Sequence, residues 1–219
     1  MAKYRGKKQH RPAHPKIFVW SHTRIAEFEY FQDLKHYLKT TLLIPKKKIC
    51  WDPWKMIDTV IAWKQNDKAG KQEICEEDGD QIWCIFDVDD FYKNQPKKLL
   101  NAIKKAHQNN IRIAYTNECF ELWLLMHLEK PTSFVKRNAL EKKIQQAFKK
   151  NNLGHFKKNK NVFMVLQKFQ HQGIKHAKEL INRSYDEIDW EAVLSDAGNP
   201  STSVHFLIQE ILDKLRNNS

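Results

Sequence analysis

The chain has 219 residues, of which 41% are hydrophobic and 11% aromatic, enough to bury a core and to exclude long disorder outside the ends. Its formal net charge of +12 favours polyanionic partners such as RNA, DNA or an acidic protein. The cysteines show no CxxC spacing, and no segment is typical of a signal peptide or a membrane span. We therefore expect a cytoplasmic, reduced protein with neither structural zinc nor a membrane partner.

Residues 1–15 are basic, contain no acid and predict an N-terminal arm. Strands and helices then alternate over residues 16–130, which predicts an α/β core with a mostly parallel sheet flanked by helices. Short apolar runs predict four strands: Ile17–Trp20, Lys48–Cys50, Ile82–Phe86 and Ile111–Tyr115. Helical stripes predict the helices between and after them: one carrying Ile25, Phe28, Phe31, Leu34 and Leu38, one from Pro53, Pro96–His107, and Glu118–Leu128 with Asn117 as its cap. Residues 66–80 are predicted to form a loop.

Residues 131–219 are predicted to be helical, without an obvious strand, and to pack on the core. Between positions 136 and 178 there are twelve lysines and arginines and one acid, so this stretch carries +11, nearly the whole excess charge. Such a surface can hold a phosphate backbone. The alternative explanation of the excess positive charge is a generically basic, Lys-rich proteome. The candidates for nucleic-acid contact are Lys142, Lys143, Lys157, Lys158 and Lys160.

The apolar run Ile82–Phe86 ends abruptly in Asp87, Asp89 and Asp90. Side chains alternate along a strand, so Asp87 and Asp89 are expected to share one face. Open parallel sheets bind ligands at the carboxyl ends of their strands, and two neighbouring carboxylates are favourable ligands for Mg²⁺. The acidic strand end therefore predicts a metal site, and the alternative is a merely soluble loop.

Glu118 and Glu121 are three residues apart on the predicted helix, which makes them neighbours on its surface. Acids in a first turn are also favoured by the helix dipole, so ordinary capping is the competing interpretation. Glu121 lies between Phe120 and Leu122 in a segment that is apolar nearly all round. A carboxylate buried there needs a basic side chain or a metal as its partner.

Three segments give the chain a resemblance to the RloB-like family: Ile82–Phe91 (IWCIFDVDDF), Thr116–Leu128 (TNECFELWLLMHL) and Asn199–Leu207 (NPSTSVHFL). The resemblance implies a Toprim-type core in which a DxD pair binds Mg²⁺ and a Glu after the first strand acts as acid or base. It also implies a role in prokaryotic anti-phage defence, including abortive infection, often beside an ATPase partner, with RNA, tRNA included, or DNA as the target.

Asp87 and Asp89 match the DxD of that family, and Asn117 and Glu121 match its helix-opening signature. The first-strand motif of the family resembles CEGEKTEPNYF, whereas residues 21–31 read SHTRIAEFEYF. His22 therefore stands at the position of the expected Glu, while Glu27 matches a later Glu of the motif. His22 is interpreted in three ways: as a general acid or base, as a ligand that Mn²⁺ accepts, or as a mark of lost chemistry.

Two main hypotheses follow. The first is a Mg²⁺- or Mn²⁺-dependent nuclease that uses His22, Glu27, Asp87, Asp89 and Glu121. The second is a catalytically altered Toprim module that binds nucleic acid or an ATPase partner. A third, an RNA-binding chain without enzyme ancestry, rests on charge and on seven tryptophans, several of which sit in runs predicted to be buried.

Overall fold

The computed structural model describes residues 15–22, 26–46, 52–66, 73–89, 93–157 and 161–217. Their strands form one sheet in the order β2-β1-β3-β4-β5. Neighbouring strands are parallel except β4 and β5, which are antiparallel. The predicted α/β class with a mostly parallel sheet is confirmed. The strands are β1 Ile17–Ser21, β2 Leu43–Lys46, β3 Gln81–Asp87, β4 Ile111–Asn117 and β5 Ser201–Thr202.

Helices cover both faces of the sheet, and short 3₁₀ turns join several of the elements. Within the described residues, no helix is long and apolar enough to span a membrane. The helices are α1 Ala26–Tyr37, α2 Pro53–Asn66, α3 Pro96–Gln108, α4 Glu121–Met126, α5 Arg137–Lys150, α6 Val162–Leu166, α7 Gln170–Leu180, α8 Trp190–Val193 and α9 Val204–Asn217.

Strand alternation divides the core into two apolar layers, one on each face of the sheet. One layer contains Phe18, Cys84 and Ile113 together with the buried stripes of α2 and α3. The opposite layer contains Val19 and Trp83 with the stripes of α1, α4, α5 and α9. Strands that are buried on both faces consist of continuous apolar runs, which is why β1 and β3 stand out in the sequence.

The C-terminal helices contribute to the second of these layers. Leu140 and Phe148 of α5 and Leu207 of α9 are buried in the same cluster as Val19 of β1. Several lysines of α5 point the other way and are exposed. These helices therefore pack their apolar stripes against the sheet side and present bases to solvent, while the domain boundaries near residues 15 and 130 stay predictions.

Three details of the predicted element order are wrong or fall outside the described chain. The second strand is Leu43–Lys46, while the segment predicted for it, Lys48–Cys50, lies outside the described residues. The C-terminal region contains a short strand, β5, which pairs with the end of β4. Helix α4 begins at Glu121 and not at Glu118, because residues 118–120 form a bend and a turn between β4 and the helix.

Candidate functional site

The carboxyl ends of β1, β3 and β4 meet at one edge of the sheet, because these strands are parallel neighbours. Ser21 is in register with Ile85, and Asp87 is in register with Thr116. The acidic strand end therefore lies between the ends of the two flanking strands, at the edge where parallel sheets bind ligands.

Asp87 is the buried acid of this edge, with 3% of its surface exposed. Its Oδ1 accepts a hydrogen bond of 2.9 Å from the backbone N–H of Phe120, and its Oδ2 accepts one of 2.9 Å from Nη2 of Arg137. Burial raises the pKa of Asp87 to about 7; the positive charge of Arg137 opposes that rise, while the negative charges of Glu121 and Asp89 add to it. The carboxyl group is thus fixed in position and tuned to titrate near neutrality.

Arg137 joins the two aspartates predicted as metal ligands. The same Nη2 that contacts Asp87 also lies 3.2 Å from Oδ2 of Asp89, and the two acids raise the pKa of the guanidinium. The backbone N–H of Arg137 donates to Oε2 of Glu118 at 2.7 Å. In the sequence, Arg137 is one of twelve bases in its region, and no local signal separates it from the others.

A cleft of about 460 Å³ opens beside this ion pair. Glu121, 5% exposed, and Glu118, 4% exposed, bring two nearly buried carboxylates to it. Nζ of Lys93, itself only 10% exposed, lies 3.8 Å from Oε1 of Glu118. The cleft therefore combines acids and bases in one place; it is lined by Glu118, Glu121, Lys136, Arg137, Asn138, Glu141 and Phe156.

The two predicted residues of the first strand and helix are described in different detail. His22 directly follows β1, and its backbone N–H donates to the carbonyl of Ile85 at 2.9 Å. Glu27 is fully buried on the stripe of α1 that packs against the side of the sheet that carries Asp87. The catalytic roles of both stay predictions.

The other predicted residues differ in how far the structure describes them. Asp90, Lys158 and Lys160 lie outside the described residues. Lys142 and Lys157 are exposed, and Lys143 is half-buried, so all three remain candidates for contact with a phosphate backbone.

Asp87 and Asp89 belong to no larger cluster of metal-binding side chains among the described residues. Within the described ranges, no group of three or more His, Cys, Asp or Glu side chains is arranged to hold a metal ion. The carboxylate oxygens of Asp87 and Asp89 are hard donors of the kind that Mg²⁺ and Mn²⁺ take. Since Nη2 of Arg137 bonds both, the residues fit a cation only when the guanidinium turns away.

Asn117 does not cap a helix, contrary to the sequence prediction. It is the last residue of β4 and is fully buried, and its Nδ2 donates to the carbonyl of Val193 at 2.8 Å. Asn199 makes a related bridge, because its Oδ1 accepts the N–H of Val135 at 3.0 Å and its Nδ2 donates to the carbonyl of Val135 at 3.1 Å. These bonds hold the backbone just before Arg137.

Replacing Asn199 with alanine should destabilise the protein by about 2–4 kcal/mol, because it leaves the buried N–H and C=O of Val135 without partners. Urea unfolding followed by circular dichroism measures the change. Asn138→Ala is the matched control, since Asn138 is exposed, and it should change the free energy of unfolding by less than about 0.5 kcal/mol. Equal effects of the two variants would contradict the role of Asn199.

The raised pKa of Asp87 should make the free energy of unfolding depend on pH. The pKa of this carboxyl is raised to about 7 in the folded protein, against about 3.9 in an unfolded chain. The folded state therefore binds the proton more tightly, and this contribution is complete below about pH 4 and lost as pH rises through about 7. We expect the stability of the wild type relative to Asp87→Asn to fall between about pH 5 and pH 8 in EDTA. A difference independent of pH in urea unfolding would exclude the raised pKa.

The model of the RloB-like protein family matches residues 17–211. The chain belongs to the RloB-like family. No curated protein and no solved structure matches it.

In this RloB-like protein, the three segments that carry the resemblance converge on the carboxyl edge of the sheet. The first contains Asp87 at the end of β3, the second supplies the N–H of Phe120 that binds Asp87, and the third begins with Asn199 and pairs with the second through Thr116 and Thr202.

Proposed function

We propose that this RloB-like protein is a divalent-metal-dependent phosphodiesterase of the Toprim type that cleaves nucleic acid, RNA such as tRNA first, in anti-phage defence. The observation that carries the proposal is the buried Asp87, which sits with Asp89 and Glu121 where the parallel strands end and the acid-lined cleft begins. Buried carboxylates with a raised pKa are costly for folding and concentrate at functional sites.

Asp87 and Asp89 would hold the cation, with Glu121 next to them. When bound, the cation would polarise the scissile phosphate and lower the pKa of the attacking water. Asp87 is already oriented by the N–H of Phe120, so it needs little rearrangement. Glu27 is a candidate for moving a proton, since it lies on the side of the sheet that carries Asp87.

Residues of α5 would carry the nucleic-acid backbone toward this edge. Lys142 and Lys143 are on the helix that begins with Arg137, and Lys157 follows it. A basic surface of this kind neutralises phosphates and releases counterions, so RNA affinity should fall steeply with salt.

Reversing the two charges with Lys142→Glu and Lys143→Glu should weaken RNA binding. It should also reduce the slope of log affinity against log salt by about 1.5, since each phosphate contact contributes about 0.7–0.9. Fluorescence anisotropy between about 50 and 200 mM salt measures both effects. The control pair is Lys97→Glu with Lys104→Glu, two exposed lysines of α3 on the opposite face. An equal loss of RNA affinity in the two double variants would show that RNA does not bind specifically to the lysines of α5.

One observation favours a second candidate function. The Arg137 guanidinium already neutralises Asp87 and Asp89, as expected of a catalytically altered module that binds nucleic acid or an ATPase partner. Purified protein incubated with end-labelled RNA and DNA distinguishes the two. Cleavage in Mn²⁺ but not in EDTA supports the phosphodiesterase, and RNA binding without cleavage in either supports the module.

A further inference from the structure

We propose that Arg137 is a displaceable counter-cation that pairs with Asp87 and Asp89 until a divalent cation binds them, and then binds a phosphate of the nucleic acid. The inference rests on the proposed function for the cation site. It adds to that site a residue that controls access to the two acids and gives the same residue a second ligand, a phosphate group.

The contacts of Arg137 show that it occupies the position between the two carboxylates. One nitrogen, Nη2, lies 2.9 Å from Oδ2 of Asp87 and 3.2 Å from Oδ2 of Asp89. A cation held by both acids would take the place between the two carboxylates that Nη2 fills, so the guanidinium and the cation would compete for it.

Charge balance favours the exchange. The single positive charge of Arg137 faces the carboxylates of Asp87 and Asp89, and Glu121 is close enough to raise the pKa of Asp87 further. Like charges at short range repel, and a divalent cation compensates two carboxylates more completely than one guanidinium does.

The attachment of Arg137 allows its side chain to move while its helix stays in place. Its backbone N–H is held by Oε2 of Glu118 at 2.7 Å, whereas 47% of the side chain is exposed to solvent. The guanidinium also borders the cleft of about 460 Å³, which provides room for a new position. Rotation of the side chain is therefore sufficient, and no shift of α5 is required.

A released guanidinium is suited to phosphate. Its planar array of N–H donors binds two phosphate oxygens at once, and it keeps its charge at every physiological pH. Lys136 lines the same cleft, so the phosphate would approach a surface with two positive charges.

Isothermal titration of Mn²⁺ into EDTA-treated, desalted protein tests the exchange without relying on cleavage. Arg137→Gln removes the competing charge, and we expect it to bind Mn²⁺ about ten- to a hundredfold more tightly than the wild type, the range for one charge-assisted bond. Arg137→Lys keeps the positive charge but lacks the planar pair of N–H donors, so its Mn²⁺ affinity should lie between those of the wild type and Arg137→Gln. Lys149→Gln, which removes an exposed charge from the other end of the same helix, should match the wild type.

The phosphate role of Arg137 is tested by fluorescence anisotropy in Mn²⁺ with a single-stranded phosphorothioate RNA, which resists cleavage. Arg137→Gln should lose about tenfold or more in RNA affinity despite its tighter metal binding, because a charge-assisted bond to phosphate is lost. A wild-type RNA affinity for Arg137→Gln would overturn the phosphate role.

If wild type and Arg137→Gln bind Mn²⁺ equally, and Asp87→Ala with Asp89→Ala abolishes that binding, the displacement is overturned while the metal site stands. If neither wild type nor Arg137→Gln binds Mn²⁺, both the displacement and the metal-dependent function are overturned. An increase in affinity that follows the order wild type, Arg137→Lys, Arg137→Gln supports the displacement.

Discussion

Combining Asp87→Ala with Asp89→Ala is expected to reduce metal-dependent cleavage of RNA by about 10³-fold or more, since a catalytic metal contributes several kcal/mol to the transition state. RNA affinity should stay within about twofold of the wild type or become tighter, because the substitutions remove two negative charges from a surface that faces the negatively charged RNA. Single-turnover cleavage of an end-labelled RNA in Mn²⁺ measures the rate, and anisotropy in EDTA measures the affinity.

Two controls separate chemistry from folding. Asp87→Asn with Asp89→Asn keeps the size of the side chains and an acceptor for the N–H of Phe120, and it should lose cleavage to a similar extent. Asp58→Ala with Asp213→Ala removes two exposed acids remote from the edge and should cleave like the wild type. Unchanged cleavage by the Asp87 and Asp89 double variant would rule out the acidic strand end as the catalytic site.

Trp83→Ala is expected to destabilise the fold by about 3–5 kcal/mol, the cost of truncating a buried Trp to alanine in a packed core. Trp83 is fully buried on β3, the strand that pairs with both β1 and β4. Its ring is contacted by Tyr185 with centroids 5.3 Å apart and by the Arg112 guanidinium at 5.0 Å. Urea unfolding of the two proteins, with fluorescence and circular dichroism, gives the difference.

Met164→Ala is the comparison for that measurement. Met164 is 42% exposed on α6, so its loss should change the free energy of unfolding by less than about 0.5 kcal/mol. A loss of less than about 1 kcal/mol for Trp83→Ala would mean that the centre of the sheet is not packed as described.

The central elements are predictable from the sequence because their burial is complete. Strand β3 is an apolar run that ends in acids, and the predicted bounds differ from the observed ones by one residue at each end. The edge strand β2 gives a weaker signal, since it pairs with β1 alone and includes Pro45, which lacks an N–H for a ladder. The segment predicted as the second strand, Lys48–Cys50, lies outside the described residues. Strand β5 has only two residues and carries no periodic signal.

Some features of the site follow from the neighbouring sequence, and others depend on contacts between residues that are distant in the sequence. The position of Asp87 and Asp89 follows from the end of an apolar strand and was predictable. The cap expected at Asn117 does not form, because Asn117 pairs with Ser201 as the last residue of β4 and a turn separates it from the helix. Arg137 could not be assigned from the sequence, since its contact with Asp87 joins residues 50 positions apart and depends on Asn199 holding the loop before α5.

The central claim, that the acidic strand end is a divalent-cation site, is tested most directly by anomalous diffraction from a crystal soaked in Mn²⁺. We predict one anomalous peak about 2.0–2.3 Å from carboxylate oxygens of both Asp87 and Asp89, with the Arg137 guanidinium turned away from them. Two results would contradict it: Mn²⁺ bound only at another position, or no bound Mn²⁺, in either case with Arg137 still bonded to both aspartates.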